Sequence, residues 1–266
     1  MSDLGLMLSM RGVCKSYHSG VRGCSATVAV LRDVDLDVRA GEVVGIAAGP
    51  TSGKTTLLMC AAGLLRPDRG TISWIGGMPS RDLLTKPQGI AYAGDRPFPY
   101  AFLSVRETLE YAAIVRDLPL RESGARVSRV LEHTGLGPVA HRRVDTLDGG
   151  SLTRLGIAAA LLAEPRLLFV DDVPPGCDAD SATEVGALIR GLAADGGAVV
   201  VAGRFVASLA LAQAFYPGVT HRSFVLVGGR VEPTADQPSV AARRTAAARA
   251  RVAEAERRSA AENEAR

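Results

Sequence analysis

The sequence contains no long apolar run, no secretory leader pattern and no cysteine arrangement typical of a metal site. None of its uncharged stretches reaches the ~18 apolar residues that a membrane-spanning helix needs. Its first residues lack the basic-then-apolar order of a signal peptide. No two of its four cysteines have C-x-x-C spacing, and none lies near a histidine at zinc-finger spacing. We therefore expect a soluble chain with reduced thiols, whose membrane role, if any, would come through a partner.

Several catalytic patterns are also missing. The chain has no Gly-x-Ser-x-Gly elbow, and the segment Gly135-Leu136-Gly137 follows no strand that could anchor a dinucleotide loop. Its four histidines are too scattered along the chain to predict a metal site. These absences weigh against serine hydrolases, dinucleotide-dependent enzymes and histidine-ligated metalloenzymes.

The chain has almost no net charge outside its last residues. Residues 241–266 hold seven Arg and four Glu, which is the whole formal excess of +3 in the 266 residues. The preceding body is neutral and predicts no nucleic-acid partner. We expect residues 234–266, which are rich in Ala, Arg and Glu, to form a helical or disordered tail, with a partner or membrane-surface contact as the alternative.

The body has the hydrophobic patterning of an α/β protein. Residues 33–39 alternate between charged and apolar, which predicts a half-buried antiparallel strand with its acidic side toward solvent. Residues 42–47, 167–170 and 198–202 are continuous apolar runs, typical of parallel strands covered on both faces. Helical patterns between the strands predict right-handed crossovers, and the largely helical segment at about 96–162 predicts an inserted α-helical subdomain.

Residues 48–56, Ala-Gly-Pro-Thr-Ser-Gly-Lys-Thr-Thr, fit the phosphate-loop pattern between a buried strand and a helix. Consecutive backbone N–H groups at a helix N-terminus form a concavity that binds anions. Lys54 is expected to reach the β- and γ-phosphates, and the Thr55 hydroxyl to bind Mg²⁺. The other predicted nucleotide-binding positions of the loop are Gly49, Pro50, Thr51, Ser52, Gly53 and Thr56. Glycine would be freer than Ala48 or Thr51, so the alternative is a vestigial loop that only supports the fold.

Two aspartates follow the apolar run at residues 167–170. Asp171 is the candidate ligand of the Mg²⁺ shell, and Asp172 is expected to lie nearest an attacking water. The alternative is a strand that simply ends in a polar turn.

Together with other motifs in the same order, these segments resemble an ATP-binding cassette ATPase, the nucleotide-binding subunit of an ABC transporter, over residues 8–232. Tyr17 in the segment 13–17 corresponds to the aromatic residue that stacks on adenine. Residues 146–151, Thr-Leu-Asp-Gly-Gly-Ser, resemble the signature Leu-Ser-Gly-Gly-Gln, so that Asp148, Gly149 and Gly150 would meet nucleotide. Residues 176–178 resemble the D-loop.

The resemblance implies a P-loop NTPase fold of the ABC type, with a mixed-sheet core, an antiparallel β edge and the helical subdomain. A cassette domain over residues 1–233 would then precede the tail. It also implies ATP and Mg²⁺ as cofactors, and a second cassette, identical or different, facing this one head to tail. A separate membrane subunit would contact the helical subdomain and hold the chain on the inner face of the cell membrane.

Four positions depart from the family pattern. Asp172 replaces the catalytic glutamate, Asp95 replaces the glutamine that joins Mg²⁺ and water to the membrane partner, and Arg204 replaces the switch histidine. At the signature, Asp148 replaces the serine that donates to the partner's γ-phosphate. Asp148 is also a good N-cap for a helix expected from about Gly150. The sequence thus predicts a degenerate cassette that binds ATP and hydrolyses it weakly or not at all alone.

Two functions remain open at this point. One is a transporter ATPase subunit paired with a second cassette, and the other is a non-hydrolysing, nucleotide-dependent scaffold or regulator of a membrane complex. The transported substrate and the direction of transport are not encoded in these motifs.

Overall fold

Strands and helices are interspersed along the chain, with ten strands and five α-helices in the residues that the structure describes. The computed structural model describes residues 5–21, 24–74, 78–79, 89–94, 100–171, 179–203 and 222–234. The strands are β1 (Leu6–Val21), β2 (Cys24–Arg39), β3 (Val43–Ala47), β4 (Arg69–Trp74), β5 (Met78–Pro79), β6 (Ile90–Ala93), β7 (Leu167–Asp171), β8 (Ala198–Gly203), β9 (Arg222–Val227) and β10 (Arg230–Pro233). The α-helices are α1 (Lys54–Ala61), α2 (Val105–Val115), α3 (Leu120–His133), α4 (Gly149–Leu161) and α5 (Ala179–Ala194).

The central sheet has six strands in the order β10-β9-β3-β8-β7-β6. All neighbouring pairs are parallel except β10 with β9. Every residue of β3, β7 and β8 is buried, as expected for apolar strands with both faces covered. The carboxyl ends of these parallel strands lie at one edge of the sheet, which is where ligands of α/β proteins bind.

A second sheet of four antiparallel strands has the order β2-β1-β4-β5. The prediction for residues 33–39 is confirmed on its apolar side, which is buried and consists of Val34, Leu36 and Val38. The expectation that the acidic side faces solvent is wrong for Asp37, which pairs with Arg11 of β1 at 2.6 Å. The neighbouring strand supplies this cation, and a pattern within one strand cannot reveal it.

Helix α1 lies between the two sheets. Its buried side chains share one apolar cluster with residues of both sheets, including Leu36 and Phe169. The Trp74 indole of β4 donates a hydrogen bond to the carbonyl oxygen of Ala61 at 2.6 Å, which ties the end of α1 to the antiparallel sheet. Helix α1 is therefore held in place by both sheets.

Helices α2, α3 and α4 pack around an apolar cluster of their own. Helix α2 begins at Val105, after a capping box in which the Ser104 hydroxyl accepts from Glu107 N–H and the Glu107 carboxylate accepts from Ser104 N–H. Helix α3 begins at Leu120 and ends at His133. The subdomain boundaries at about 96 and 162 stay a prediction.

Candidate functional site

The predicted phosphate loop connects the end of β3 to the start of α1. Gly49, Pro50, Thr51 and Thr55 are exposed, so the loop is open to a ligand. The Ser52 hydroxyl donates to the carbonyl oxygen of Gly49 at 2.7 Å and closes the turn. The N-cap of α1 is Gly53, which offers no side chain to the amides of the first turn. Those amides point toward the loop, where an anion is favoured by the helix dipole.

Two residues of the loop have left-handed backbone conformations. Gly53 has φ 95°, and a Cβ atom built on it would lie 2.5 Å from Cγ1 of Val30 in β2. Glycine is therefore required at this position by both conformation and space. Thr51 has φ 57° although its side chain is β-branched, which is unfavourable by ~1 kcal/mol or more. The expectation that glycine would suit position 51 better than threonine thus has a physical basis, because the loop requires a left-handed backbone conformation there.

Tyr17, the candidate adenine residue, lies on β1 beside the first turn of α1. Its hydroxyl is 3.3 Å from Oγ1 of Thr56, and the residue is 44% exposed. The ammonium group of Lys15 lies 6.0 Å from the centre of the ring. The fold thus brings Tyr17 next to the loop with a partly open ring face. The Thr56 side chain is buried and bonded to Tyr17, so its observed role is to join hairpin and helix.

Asp171, the candidate Mg²⁺ ligand, is the last residue of β7 and is 1% exposed. It lies at the same edge of the sheet as the phosphate loop, because β3, β8 and β7 are consecutive parallel strands. Thr55 and Asp171 offer a hydroxyl and a carboxylate, the hard oxygen donors that Mg²⁺ prefers. The donor set therefore fits the metal that the sequence predicts.

The signature segment begins α4. Helix α4 starts at Gly149, one residue earlier than expected, with Asp148 as its N-cap. The Asp148 carboxylate accepts from the Ser151 backbone N–H at 2.7 Å and from the Ser151 hydroxyl at 3.0 Å. The backbone hydrogen bond from Ser151 lowers the pKa of Asp148, and desolvation opposes it only in part. Asp148 is consequently an ionised cap at neutral pH, and it accepts from the Ser151 amide in the first turn of the helix. Gly150 is buried behind it.

The first turns of α4 are linked to α5 by a polar chain. The Arg154 guanidinium donates to the Ser151 hydroxyl at 3.2 Å and pairs with Glu184 of α5 at 2.6 Å. These contacts fix the Ser151 hydroxyl that donates to Asp148. The helix cap is therefore supported by Arg154 and, through it, by Glu184 of α5.

Sequence reasoning missed Tyr92, whose hydroxyl donates to Oδ2 of Asp171 at 2.8 Å. The segment around Tyr92 drew attention only for Asp95. A tyrosine and an aspartate that are 79 positions apart form no sequence motif. They are neighbours only because β6 pairs with β7.

Three predicted site residues, Asp95, Asp172 and Arg204, lie outside the described residues, as does the tail from residue 235. Within the described ranges, no group of His, Cys, Asp and Glu could hold a metal by itself. Cys14 and Cys60 are free thiols, and burial raises the pKa of Cys60 to about 11. In those same ranges, no helix combines the length and hydropathy required to cross a bilayer.

Comparison with known proteins decides the family. A family model described as ABC transporter matches residues 31–173. The chain belongs to the ABC transporter family. The lipopolysaccharide export system ATP-binding protein LptB of Acidithiobacillus ferridurans is 31% identical over 249 residues, which cover 90% of this chain and 95% of that protein. ATPases of this family bind ATP, typically with Mg²⁺.

Another ABC relative is longer than this chain. The macrolide export ATP-binding/permease protein MacB of Nitrosomonas europaea is 32% identical over 207 residues, which are 75% of this chain and 31% of that protein. The chain thus spans about a third of MacB and less than two thirds of several other relatives.

The fold itself is that of an ABC cassette. The ATP-binding cassette MJ0796, solved as a dimer in a post-hydrolysis state with ADP and phosphate, superposes with a TM-score of 0.71 at 24% identity. The alignment covers 85% of this chain and 97% of that one. The predicted fold class, an ABC-type α/β fold with a mixed sheet and an antiparallel edge, is confirmed.

Proposed function

We propose that this chain is the nucleotide-binding subunit of an ABC transporter, binding ATP–Mg²⁺ and acting on a separate membrane subunit. The observation that carries the proposal is the exposed loop before α1, with Gly53 as an N-cap that leaves the first-turn amides for a phosphate. Relatives named as export ATP-binding proteins support it.

Each candidate residue has a role in the proposed complex. The backbone of residues 49–53 and the Lys54 ammonium hold the phosphates, while the Tyr17 ring faces adenine. Thr55 and Asp171 would hold Mg²⁺, which shields the phosphate charges when it is bound. Backbone amides of a fixed loop bind phosphate without having to rearrange. This loop is fixed by β3, from which it continues, and by close packing of Gly53 against Val30 of β2.

The proposed complex contains a second cassette, either a copy of this chain or a different one. The signature of one cassette would then face the nucleotide of the other, with the chain on the inner face of the membrane. We infer that Asp148 disfavours this closed arrangement. Two like charges about 4 Å apart repel by ~4 kcal/mol at an effective dielectric constant near 20, which exceeds the contribution of one hydrogen bond.

Weak hydrolysis is therefore part of the proposal. Asp148 is ionised and bonded twice to Ser151, so it cannot donate a hydrogen bond to a γ-phosphate. The substitutions at Asp95, Asp172 and Arg204 act in the same direction. Asp172 is one methylene shorter than glutamate, and a misplacement of about 1 Å lowers a rate ~10²-fold. Arg204 cannot serve as a base.

An exposed aromatic patch supports a membrane partner. The patch consists of Tyr100, Phe102 and Tyr111. The Tyr100 and Tyr111 rings pack edge to face with their centres 5.3 Å apart, and the Phe102 ring is tilted against Tyr100 at 5.8 Å. Phe102 is 63% exposed. Exposed aromatic clusters typically mark protein contacts. This one adjoins the segment after β6 and the start of α2, which the family resemblance assigns to the membrane subunit.

The same Asp148 cap favours a second candidate, a nucleotide-dependent scaffold or regulator of a membrane complex that does not turn ATP over. Both functions require nucleotide binding and differ in hydrolysis. Phosphate release measured with the membrane subunit and second cassette present separates them.

Nucleotide binding is tested by titrating the full chain with a fluorescent ATP analogue and Mg²⁺. Wild type should bind, and Lys54→Ala should bind at least about 10-fold more weakly, because a charged contact to phosphate contributes about 1.5–3 kcal/mol. Arg121→Ala is the matched control, since it removes a cation that is 87% exposed on α3. Equal binding by wild type and Lys54→Ala, or no binding by wild type, would contradict the proposal.

A further inference from the structure

Asp171, the proposed Mg²⁺ ligand, has a hydrogen-bond donor on the neighbouring strand. Tyr92 lies in β6, and its hydroxyl donates to Oδ2 of Asp171 at 2.8 Å. Asp171 is 1% exposed, whereas Tyr92 is half-buried. A hydrogen bond to a charged group is stronger than one between neutral groups, and losing it is more costly when the charged acceptor is buried.

The strand register explains how the two side chains meet. In the parallel pair of β6 and β7, Tyr92 is opposite Phe169 and Ala93 is opposite Val170. Side chains two residues apart share a face of a sheet, so Asp171 is on the face of Phe169. The Tyr92 side chain consequently leans along the strand toward the carboxyl edge, where the phosphate loop begins.

Gly94 supplies the space for this lean. It follows β6 directly, and continuing the register puts it opposite Asp171. A Cβ atom on Gly94 would lie 2.9 Å from Cε1 of Tyr92. Because the backbone of Gly94 does not have a positive φ, glycine serves here to admit the ring rather than to allow an unusual conformation.

We propose that Tyr92 is a positioning residue for the Mg²⁺ carboxylate, with Gly94 as the residue that admits it. The hydroxyl takes one oxygen of Asp171 and restricts rotation of the carboxylate, so that the other oxygen serves the metal or its water. Groups that hydrogen-bond to a metal's carboxylate ligand change metal affinity by about 10–100-fold when they are removed. The inference rests on the proposed role of Asp171 in ATP–Mg²⁺ binding.

A purely structural role makes a different prediction. If the hydroxyl only satisfied a buried carboxylate, its removal would lower stability and leave the Mg²⁺ dependence of nucleotide binding unchanged. The Mg²⁺ midpoint is therefore the informative measurement, and it does not require hydrolysis.

The experiment uses the full chain with a fluorescent ATP analogue, titrated with Mg²⁺ and, separately, with nucleotide in EDTA. Tyr92→Phe removes only the hydroxyl, and Gly94→Ala keeps the tyrosine but displaces its ring. Both should raise the Mg²⁺ midpoint about 10-fold, with affinity in EDTA changed less than about twofold. Thr134→Val is the control, because it deletes a buried hydroxyl that bonds Val130 in the helical cluster, and its midpoint should equal that of wild type.

The outcomes separate the two proposals. An unchanged midpoint in a folded Tyr92→Phe or Gly94→Ala overturns the positioning role, as does nucleotide binding by wild type that ignores Mg²⁺. Should one variant fail to fold, the other decides the question. A wild type that binds no nucleotide overturns the proposed function itself.

Discussion

The helices α1 and α4 begin in opposite ways, and both N-termini belong to segments that we propose to face phosphate. At α1 the N-cap is Gly53, in a left-handed conformation and without a side chain. At α4 the N-cap is Asp148, whose carboxylate accepts two hydrogen bonds from Ser151. The first N-terminus leaves its positive end available to an anion, and the second is already neutralised by one. Anion binding at a helix N-terminus thus depends on the single residue that precedes the helix.

The largest effect is expected from closing the open N-terminus. Gly53→Ala introduces a Cβ 2.5 Å from Val30 in a left-handed conformation, so we expect a loss of ~3 kcal/mol in unfolding free energy from clash and strain. Nucleotide affinity should fall more than about 100-fold, because the clash displaces the loop amides that are proposed to bind phosphate. A 100-fold loss of affinity corresponds to about 2.8 kcal/mol of binding free energy. Chemical unfolding and nucleotide titration measure both quantities.

Gly124→Ala provides the comparison for that substitution. Gly124 lies within α3 and has open space around its Cβ position. The change should leave nucleotide binding intact and stabilise the chain by up to ~1 kcal/mol. Similar losses of stability and nucleotide affinity in both variants would contradict the requirement for glycine at position 53.

A smaller effect is expected from reopening the closed N-terminus. Asp148→Ser keeps a good N-cap but removes the charge, so ATP-dependent association of two cassettes should tighten at least about 10-fold if part of the ~4 kcal/mol repulsion is relieved. Analytical ultracentrifugation with and without ATP–Mg²⁺ gives the association constant. Asp148→Asn, which preserves shape, should behave likewise. Unchanged association in both variants would show that Asp148 does not face nucleotide.

The smallest effect concerns pH. The hydrogen bond from Ser151 lowers the pKa of Asp148 below its ordinary value of 3.8, so the cap contributes stability above that value and loses it as pH falls through the folded-state pKa. Asp148→Ala should cost about 1 kcal/mol at pH 7, and the difference from wild type should shrink in acid. Urea unfolding at several pH values tests this. Asp145→Ala, which removes a nearby surface carboxylate that does not cap α4, should not show the same trend.

Local patterns were sufficient for much of the fold. The apolar runs that became β3, β7 and β8 are buried throughout, and the loop before α1 has the strand-to-helix context that its motif requires. These features depend on neighbours within about ten residues, so periodicity and motif spacing reveal them. The assigned roles of Asp95, Asp172 and Arg204, and the division into a cassette and a tail, stay predictions.

Other features depend on contacts between distant segments. The partner of Asp37 is Arg11 on another strand, and the clash that excludes a side chain from Gly53 comes from Val30. Tyr92 reaches Asp171 only because β6 and β7 are neighbours in the sheet. No spacing rule connects such pairs.

The amino-acid sequence alone therefore predicts a phosphate loop with its lysine, and an aspartate that caps the helix of the signature segment. The tertiary structure decides which side chain leaves no room for a Cβ atom at Gly53, and which tyrosine reaches the buried carboxylate. The physical reason is that backbone patterns act over a few residues, whereas hydrogen bonds and steric contacts between strands depend on how those strands are arranged.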